Sequence, residues 1–209
     1  MNSETFNNIN QDNQDNKRVN QCVGKFDLYI GCMFASKSTE LIKQINRYKS
    51  IGKKVLKINN TINNRYDTDN ISTHDGAILD NCIITNSLMN VASDIKKYDV
   101  IAIEEIQFFS DAREFIITCV DDYKKVVIAV GLDGDFKRQP FPVVSSIIPL
   151  ADSLIKLKAY CAVCKDGTPA IFSKLINNPP DSDSNSESNG FIIGSTEKYI
   201  AVCRKHFFN

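Results

Sequence analysis

Apolar positions along this chain come in short blocks separated by polar, turn-forming stretches. Lys25–Ile30 reads as a short strand ending at Gly31. From Ser38 the apolar residues Leu41, Ile42, Ile45 and Tyr48 recur at helical spacing, and Gly52 stops that helix. "KVLKI" is the next strand, and Asp94–Lys97 is the end of a short helix. "YDVIAI" (Tyr98–Ile103) is a buried strand running straight into Glu104. Ala112–Val120 predicts a helix, and "KVVIAVGLDGD" (Lys125–Asp135) another buried strand. Continuous β-branched runs between helices signal parallel strands covered on both faces. The pattern therefore predicts an α/β architecture with a doubly wound, mostly parallel sheet over residues 23–158. The pieces after Ala159 are short and Cys-bearing and predict a separate, metal-held lobe over 159–209.

Two segments depart from the pattern. Residues 1–22 are rich in Asn, Gln and Asp, and "NNPPDSDSNSESNG" (Asn177–Gly190) is a run of Ser, acids and two prolines. Neither buries enough apolar surface to offset its ordering entropy, so both are expected to be disordered. The second interrupts folded sequence and reads as an internal loop.

Composition narrows the function classes. Lys+Arg and Asp+Glu both total 25, giving zero net charge and no global attraction to nucleic acid or an anionic membrane. No apolar run approaches the roughly 20 residues of a membrane span. The N-terminus lacks the apolar core of a secretory signal. Seven cysteines in such a chain favour metal binding or free thiols over disulfides. A cytoplasmic protein is expected, with neither nucleic acid nor membrane as partner.

The first candidate site is "GCMFASKSTEL", Gly31–Leu41. It matches a phosphate loop, Gly-x-x-x-x-Gly-Lys-Ser/Thr, with Ser36 where the second glycine belongs. Strand, turn and helix are the context such a loop requires, because backbone N–H groups and the helix N-terminus then face the anion. Lys37 would sit beside the β- and γ-phosphates, and the Ser38 hydroxyl would reach Mg²⁺. The bland alternative is a Lys and two hydroxyls at a helix start, with Ser36 as an N-cap. If the loop needs positive φ at Ser36, the Cβ there costs about 1–2 kcal/mol.

"VIAIEEIQFF" supplies the second candidate site. An acid at the end of a buried strand can hold the metal of a phosphate loop, and Glu104 takes that position. Glu105 follows directly and projects differently, as a base toward a substrate hydroxyl would. The alternative is two solvated acids in a turn. The third site is a pair of knuckles, Cys161/Cys164 in "CAVC" and Cys203/His206 in "CRKH". Each offers two ligands to one tetrahedral Zn²⁺. The long separation between them is tolerable, since each doubling of a loop costs only about 0.6 kcal/mol.

"GCMFASKSTEL", "THDG", "IEEIQFF", "GLDGDFKRQPF", "PLADSLIKLKAYCAVC" and "EKYIAVCRKHFF" occur in the order seen in thymidine kinases of the cellular and poxviral type. The resemblance covers about Gly24 to Phe208. It implies a phosphate-loop kinase unit with a small zinc-bound lasso, and transfer of the ATP γ-phosphate to the 5′-hydroxyl of thymidine. By the same resemblance Gly31, Cys32, Met33, Phe34, Ala35, Ser36, Lys37 and Ser38 hold the nucleotide phosphates. Glu104 stands where the family usually has Asp, as the metal-side carboxylate. Glu105 matches the catalytic base and Gln107 the polar residue that follows it. Arg65 matches an arginine near the transferred phosphate, while Asn63 replaces a usual Asp.

Met33, Phe108, Phe136 and Phe141 match side chains that enclose the thymine ring; read without the resemblance, the three phenylalanines are ordinary core. Gly190, Phe191, Ile192, Ile193 and Gly194 match a loop whose backbone bonds the base edge, and Tyr199 a tyrosine that braces it. Ser195 stands where relatives usually have a second glycine. The zinc would fasten both ends of that loop. His74 in "THDG" matches a family position with no chemistry assigned. Homotetramers and inhibition by thymidine triphosphate are further expectations of the resemblance. Three rival readings stand beside it. They are a degenerate nucleoside-binding homologue with Ser36 impairing ATP use, a phosphate-loop ATPase with a zinc module for nucleic acid, and a kinase of another deoxynucleoside.

Overall fold

The computed structural model describes residues 23–63, 71–72, 78–79, 81–176 and 198–208. The Asn-rich tail, the Asn177–Gly190 insert, Arg65, His74 and the whole of Gly190–Gly194 lie outside them.

In chain order the elements are β1 (Lys25–Gly31), α1 (Lys37–Ser50), β2 (Val55–Asn60), β3 (Ile71–Ser72), β4 (Ile78–Leu79), β5 (Ile83–Thr85) and β6 (Val100–Ile103). There follow α2 (Ala112–Ile117), β7 (Val126–Leu132), α3 (Pro142–Ile147), β8 (Ser153–Leu157), β9 (Ala159–Tyr160), β10 (Pro169–Ala170), β11 (Phe172–Leu175), β12 (Tyr199–Val202) and α4 (Arg204–Phe208). Six strands form one sheet in the order β5-β2-β6-β7-β1-β8. Every pairing within it is parallel.

The continuous apolar runs are explained by two cores, one on each face. Along β1, Phe26, Leu28 and Ile30 enter the core built with Phe109, Phe115 and Ile147. Tyr29 points the other way, to Leu41 and Ile45 of α1. β6 divides likewise, Ile101 and Ile103 to the first core and Val100 and Ala102 to the second. A strand with both faces dry has no polar alternation to show.

Gly31 pairs with Leu132, and Ile103 with Ala129, so β1, β6 and β7 all end at one edge of the sheet. In parallel α/β sheets ligands bind outside those carboxyl ends. Beyond β8, β9 pairs with β10 and β11 with β12, both antiparallel, and α4 closes the lobe. Among the described residues no helix is long and apolar enough to cross a membrane.

Local differences from the sequence reading have simple causes. The helix expected over Ala112–Val120 is α-helical only to Ile117 and widens into a π-turn at Thr118–Asp122. The short helix ending at Lys97 is a 3₁₀ segment, Leu88–Lys97, packed through Leu88, Val91 and Ile95. The sequence reading assigned no strand to Ser153–Leu157. β8 is an edge strand with Leu154 and Ile155 exposed, so it lacks the buried run that marks β6 and β7.

Candidate functional site

Gly31 ends β1 so close to the β8 end that a Cβ on it would lie 2.5 Å from the Leu157 carbonyl oxygen. The turn that follows holds two non-glycine residues in left-handed backbone, Phe34 at φ 64° and Ser36 at φ 56°. Ser36 is the residue preceding α1, but its side chain makes no capping bond. The position does demand glycine-like backbone, and Ser36 adopts it at a cost of about 1–2 kcal/mol. The bland helix-cap alternative loses its basis. Lys37 Nζ donates to the Cys32 carbonyl at 2.8 Å, folding the lysine over the loop.

The loop and the end of β6 converge. Ser38 Oγ donates to Glu104 Oε1 at 2.7 Å. Glu104 is buried, and its Oε2 is one of the buried oxygens with no partner. Burial pushes its carboxyl up to about 8, helped by the neighbouring Glu105 charge and opposed by the Ser38 bond and Lys37. A buried orphan carboxylate oxygen beside a serine hydroxyl is a donor pair suited to a hard divalent cation. Mg²⁺ fits these residues.

The raised carboxyl has a consequence for stability. The native state holds the Glu104 proton up to about 8, whereas an unfolded glutamate releases it near the ordinary carboxyl value of 4.5. The native state therefore binds more protons in that window, and stability falls as pH rises through it. Measured as melting temperature from pH 5 to 8 without Mg²⁺ or nucleotide, wild type is expected to lose stability relative to Glu104→Gln. Parallel curves for the two proteins would refute the buried-acid assignment.

Glu105, the second residue after β6, occupies left-handed backbone, φ 53°. That turn separates the two carboxylates: Glu104 faces Ser38, and Glu105 Oε2 accepts from Gln107 Nε2 at 2.6 Å. Gln107 is buried, and its Oε1 accepts from the Leu132 N–H at 3.1 Å. This second bond fixes the amide so that its NH₂ group faces Glu105. Gly131 makes room, since a Cβ there would fall 2.5 Å from Gln107 Oε1. Strained non-glycine backbone of this kind concentrates at functional sites.

The residues expected to enclose a base differ in burial. Met33, Phe108, Phe136 and Phe141 are all half-buried, and Tyr199 is buried. Phe136 and Tyr199 are in ring contact, centroids 6.3 Å apart. The loop carrying Phe136 is a tight turn in which Asp135 Oδ1 accepts from the Lys137 and Gln139 N–H groups. Its Arg138 lies 4.7 Å and 4.8 Å from the Phe207 and Phe208 rings of α4. Sequence reasoning missed this clasp, because a cation–π pair joining residue 138 to residue 207 leaves no local signal.

Cys161, Cys164, Cys203 and His206 form one cluster, all ligand atoms within 4.8 Å of one another. The three sulfurs lie 3.5, 3.2 and 3.5 Å from His206 Nδ1, and Cys164 and Cys203 are 3.8 Å apart. A tetrahedral zinc with Zn–S of about 2.3 Å and Zn–N of about 2.0 Å requires edges of about 3.5–3.8 Å. Burial alone would raise the Cys161 thiol, but the Cys164, Cys203 and Val163 N–H groups and His206 bring it down to about 5. Cys164, crowded by burial and by the Cys161 and Cys203 sulfurs, is pushed up to about 11. The donor set is compatible with Zn²⁺. Cys32, Cys82 and Cys119 stand apart as buried free thiols, and burial pushes Cys119 to about 12.

Known proteins resemble the chain over most of its length. The family model described as thymidine kinase matches residues 24–207. Thymidine kinase a of Arabidopsis thaliana is 39% identical over 189 residues, covering 88% of this chain and 75% of that protein. The thymidine kinase of raccoon poxvirus is 37% identical over 186 residues, covering 89% and 98%. Thymidine kinase 1 of Dictyostelium discoideum is 38% identical over 191 residues, covering 89% and 78%.

Proposed function

Because the chain belongs to the thymidine kinase family, we propose that it transfers the γ-phosphate of ATP to the 5′-hydroxyl of thymidine, giving dTMP and ADP. The observation that carries this reading is the 2.7 Å bond between Ser38 of the phosphate loop and Glu104. It brings two segments 66 residues apart in sequence to one point, with Glu105 beside them.

The roles follow from the chemistry of each group. Backbone N–H groups of the loop and Lys37 bind the ATP phosphates. Ser38 and Glu104 would hold Mg²⁺, which when bound neutralises phosphate charge. Glu105, oriented by Gln107, accepts the proton of the thymidine 5′-hydroxyl. The 5′-oxygen bonds to the γ-phosphorus as the bond to the bridging oxygen breaks, and ADP leaves with that electron pair. Phe136 and Tyr199 form a wall for thymine. Arg65, Asn63 and the Gly190–Gly194 loop enter only as residues implied by family resemblance. A structural zinc on the Cys₃His cluster, a homotetramer, inhibition by thymidine triphosphate and a cytoplasmic location complete the proposal.

The test is phosphorylation of thymidine by ATP and Mg²⁺, run beside other deoxynucleosides. Product formation on thymidine above the panel is expected; its absence would sink the reading. The same assay addresses Ser36. Since Ser36 already holds the αL conformation, Ser36→Gly is expected to raise stability by up to about 1 kcal/mol and to leave turnover within about threefold. A gain of a hundredfold or more would instead mark the natural loop as crippled.

A further inference from the structure

Phe136 is carried by the connection between β7 and α3, which has no strand or helix of its own. Within it the turn 135–139 closes on itself. The Asp135 N–H donates to the Gln139 carbonyl at 2.9 Å, and the Arg138 N–H to the Asp135 carbonyl at 3.0 Å. Two side chains carry this turn to the Cys/His lobe. Phe136 meets Tyr199 of β12. Arg138 meets a group of rings on β11 and α4, since its guanidinium also lies 5.7 Å from the Phe172 centroid, besides its contacts with Phe207 and Phe208. Those rings pack on one another, with Phe172–Phe207 centroids 5.1 Å apart and Phe207–Phe208 centroids 5.5 Å apart. Arg138 is exposed and, among the described residues, forms no ion pair, so the rings are what holds it. It keeps left-handed backbone, φ 64°, which a non-glycine residue retains only where its surroundings over-determine it.

We infer that Arg138 is a positioning residue for the thymine wall: by gripping the rings of the lobe it sets the turn 135–139 so that Phe136 stands against Tyr199. This rests on the reading of Phe136 and Tyr199 as that wall. The two anchoring side chains are two residues apart on one closed turn, and they reach different elements of the lobe. Together they fix both the place and the tilt of the turn. Phe136 on Tyr199 is a single ring contact, about which the turn could pivot. A guanidinium suits the second anchor, because it is planar, stacks on ring faces and is weakly hydrated, whereas an ammonium is a compact, strongly hydrated charge. Without Arg138 the turn stays closed by its own bonds but is free to swing away from the lobe. Thymidine must then select the state in which Phe136 faces Tyr199, which weakens its apparent affinity. The ATP phosphates are read as bound by Gly31–Ser38, whose bonds to the lobe and within the loop do not pass through Arg138.

The experiment uses the full chain with its metal content determined. Thymidine and Mg·ATP are titrated separately by calorimetry into wild type, Arg138→Gln, Arg138→Lys and Arg204→Gln. Arg138→Gln is expected to raise the thymidine Kd about three- to tenfold, as loss of several exposed cation–π contacts would. It should leave the ATP Kd, kcat and zinc content within about twofold of wild type, a split that a general loosening of the lobe does not give. Arg138→Lys keeps a cation over the rings and should fall between the two. Arg204 is the control, because it lies 5.0 Å from the same Phe172 ring but belongs to α4 and does not join the turn. Arg204→Gln is expected to bind thymidine within about twofold of wild type. In a Phe208→Leu background, Arg138→Gln should cost less thymidine affinity than in wild type, because part of its grip is already gone. An unchanged thymidine Kd in Arg138→Gln, an equal loss for thymidine and ATP, an equal loss in Arg204→Gln, or full additivity with Phe208→Leu would each overturn the assignment. No thymidine binding by wild type would instead remove the thymine-site reading, and the assignment with it.

Discussion

Replacing Glu105 with Gln is expected to lower kcat by about a hundred- to ten-thousand-fold, the range lost when a positioned general base is removed. The substitution keeps the shape and contacts of the site, and its one other effect is to remove a charge that helps hold the Glu104 carboxyl up. Gln has the same shape and an oxygen that can accept from Gln107 Nε2, so the 2.6 Å contact can persist. Gln107 remains locked by the Leu132 N–H. The Ser38–Glu104 pair lies on the other side of the strained turn and is not touched. Thymidine affinity should therefore stay within about threefold, since only the proton acceptor has gone. Glu104→Gln is the informative contrast. It removes a carboxylate facing the phosphate loop, so its loss should depend on Mg²⁺ concentration, whereas that of Glu105→Gln should not. Steady-state kinetics at several Mg²⁺ concentrations, with direct thymidine titration, separate the two. Unimpaired turnover in Glu105→Gln would take this residue out of the proton-transfer step.

The central sheet and its carboxyl-edge turns were legible because their signals are local. β6 and β7 are apolar runs of four and seven residues ended by acid- or glycine-rich turns, and burial on both faces demands such runs. Ser38 and Glu104 each belong to a short motif, so their meeting could be expected from either end. What escaped the sequence reading depends on distance in the chain. Ser173 is a single serine in a short strand, and nothing local shows that its hydroxyl accepts from the Met33 N–H. Arg138 reads as one more surface cation until Phe207 and Phe208 fold over it. β8 escaped for another reason. An edge strand with exposed Leu154 and Ile155 carries neither a continuous buried run nor a strict alternation.

Loss of one ligand of the Cys/His cluster, as in Cys203→Ser, is expected to strip the metal and to lower the melting temperature by at least about 5 °C. Among its described residues the lobe has little else to hold it: their sheets are two two-stranded pairs, β9 with β10 and β11 with β12, and such pairs are marginal alone in water. Its core is built largely of small side chains, Ala159, Ala170 and Ala201 among them. At about 0.8 kcal/mol per buried CH₂ those residues contribute little against the ordering entropy of the strands. A tetrahedral metal on the four ligands would supply what that core lacks, since structural zinc adds its binding free energy to folding. Loss should also spread. Cys32 and Ala35 share the lobe's core, and α4 bears Phe207 and Phe208 against Arg138 of the Phe136 loop. ATP and thymidine affinities should therefore fall together in Cys203→Ser. The measurements are zinc stoichiometry, melting temperature and both affinities, with Cys119→Ser as a control, because that thiol lies in the sheet's own core away from the cluster. Retained zinc and an unchanged melting temperature in Cys203→Ser would mean that the four residues do not act as a metal centre.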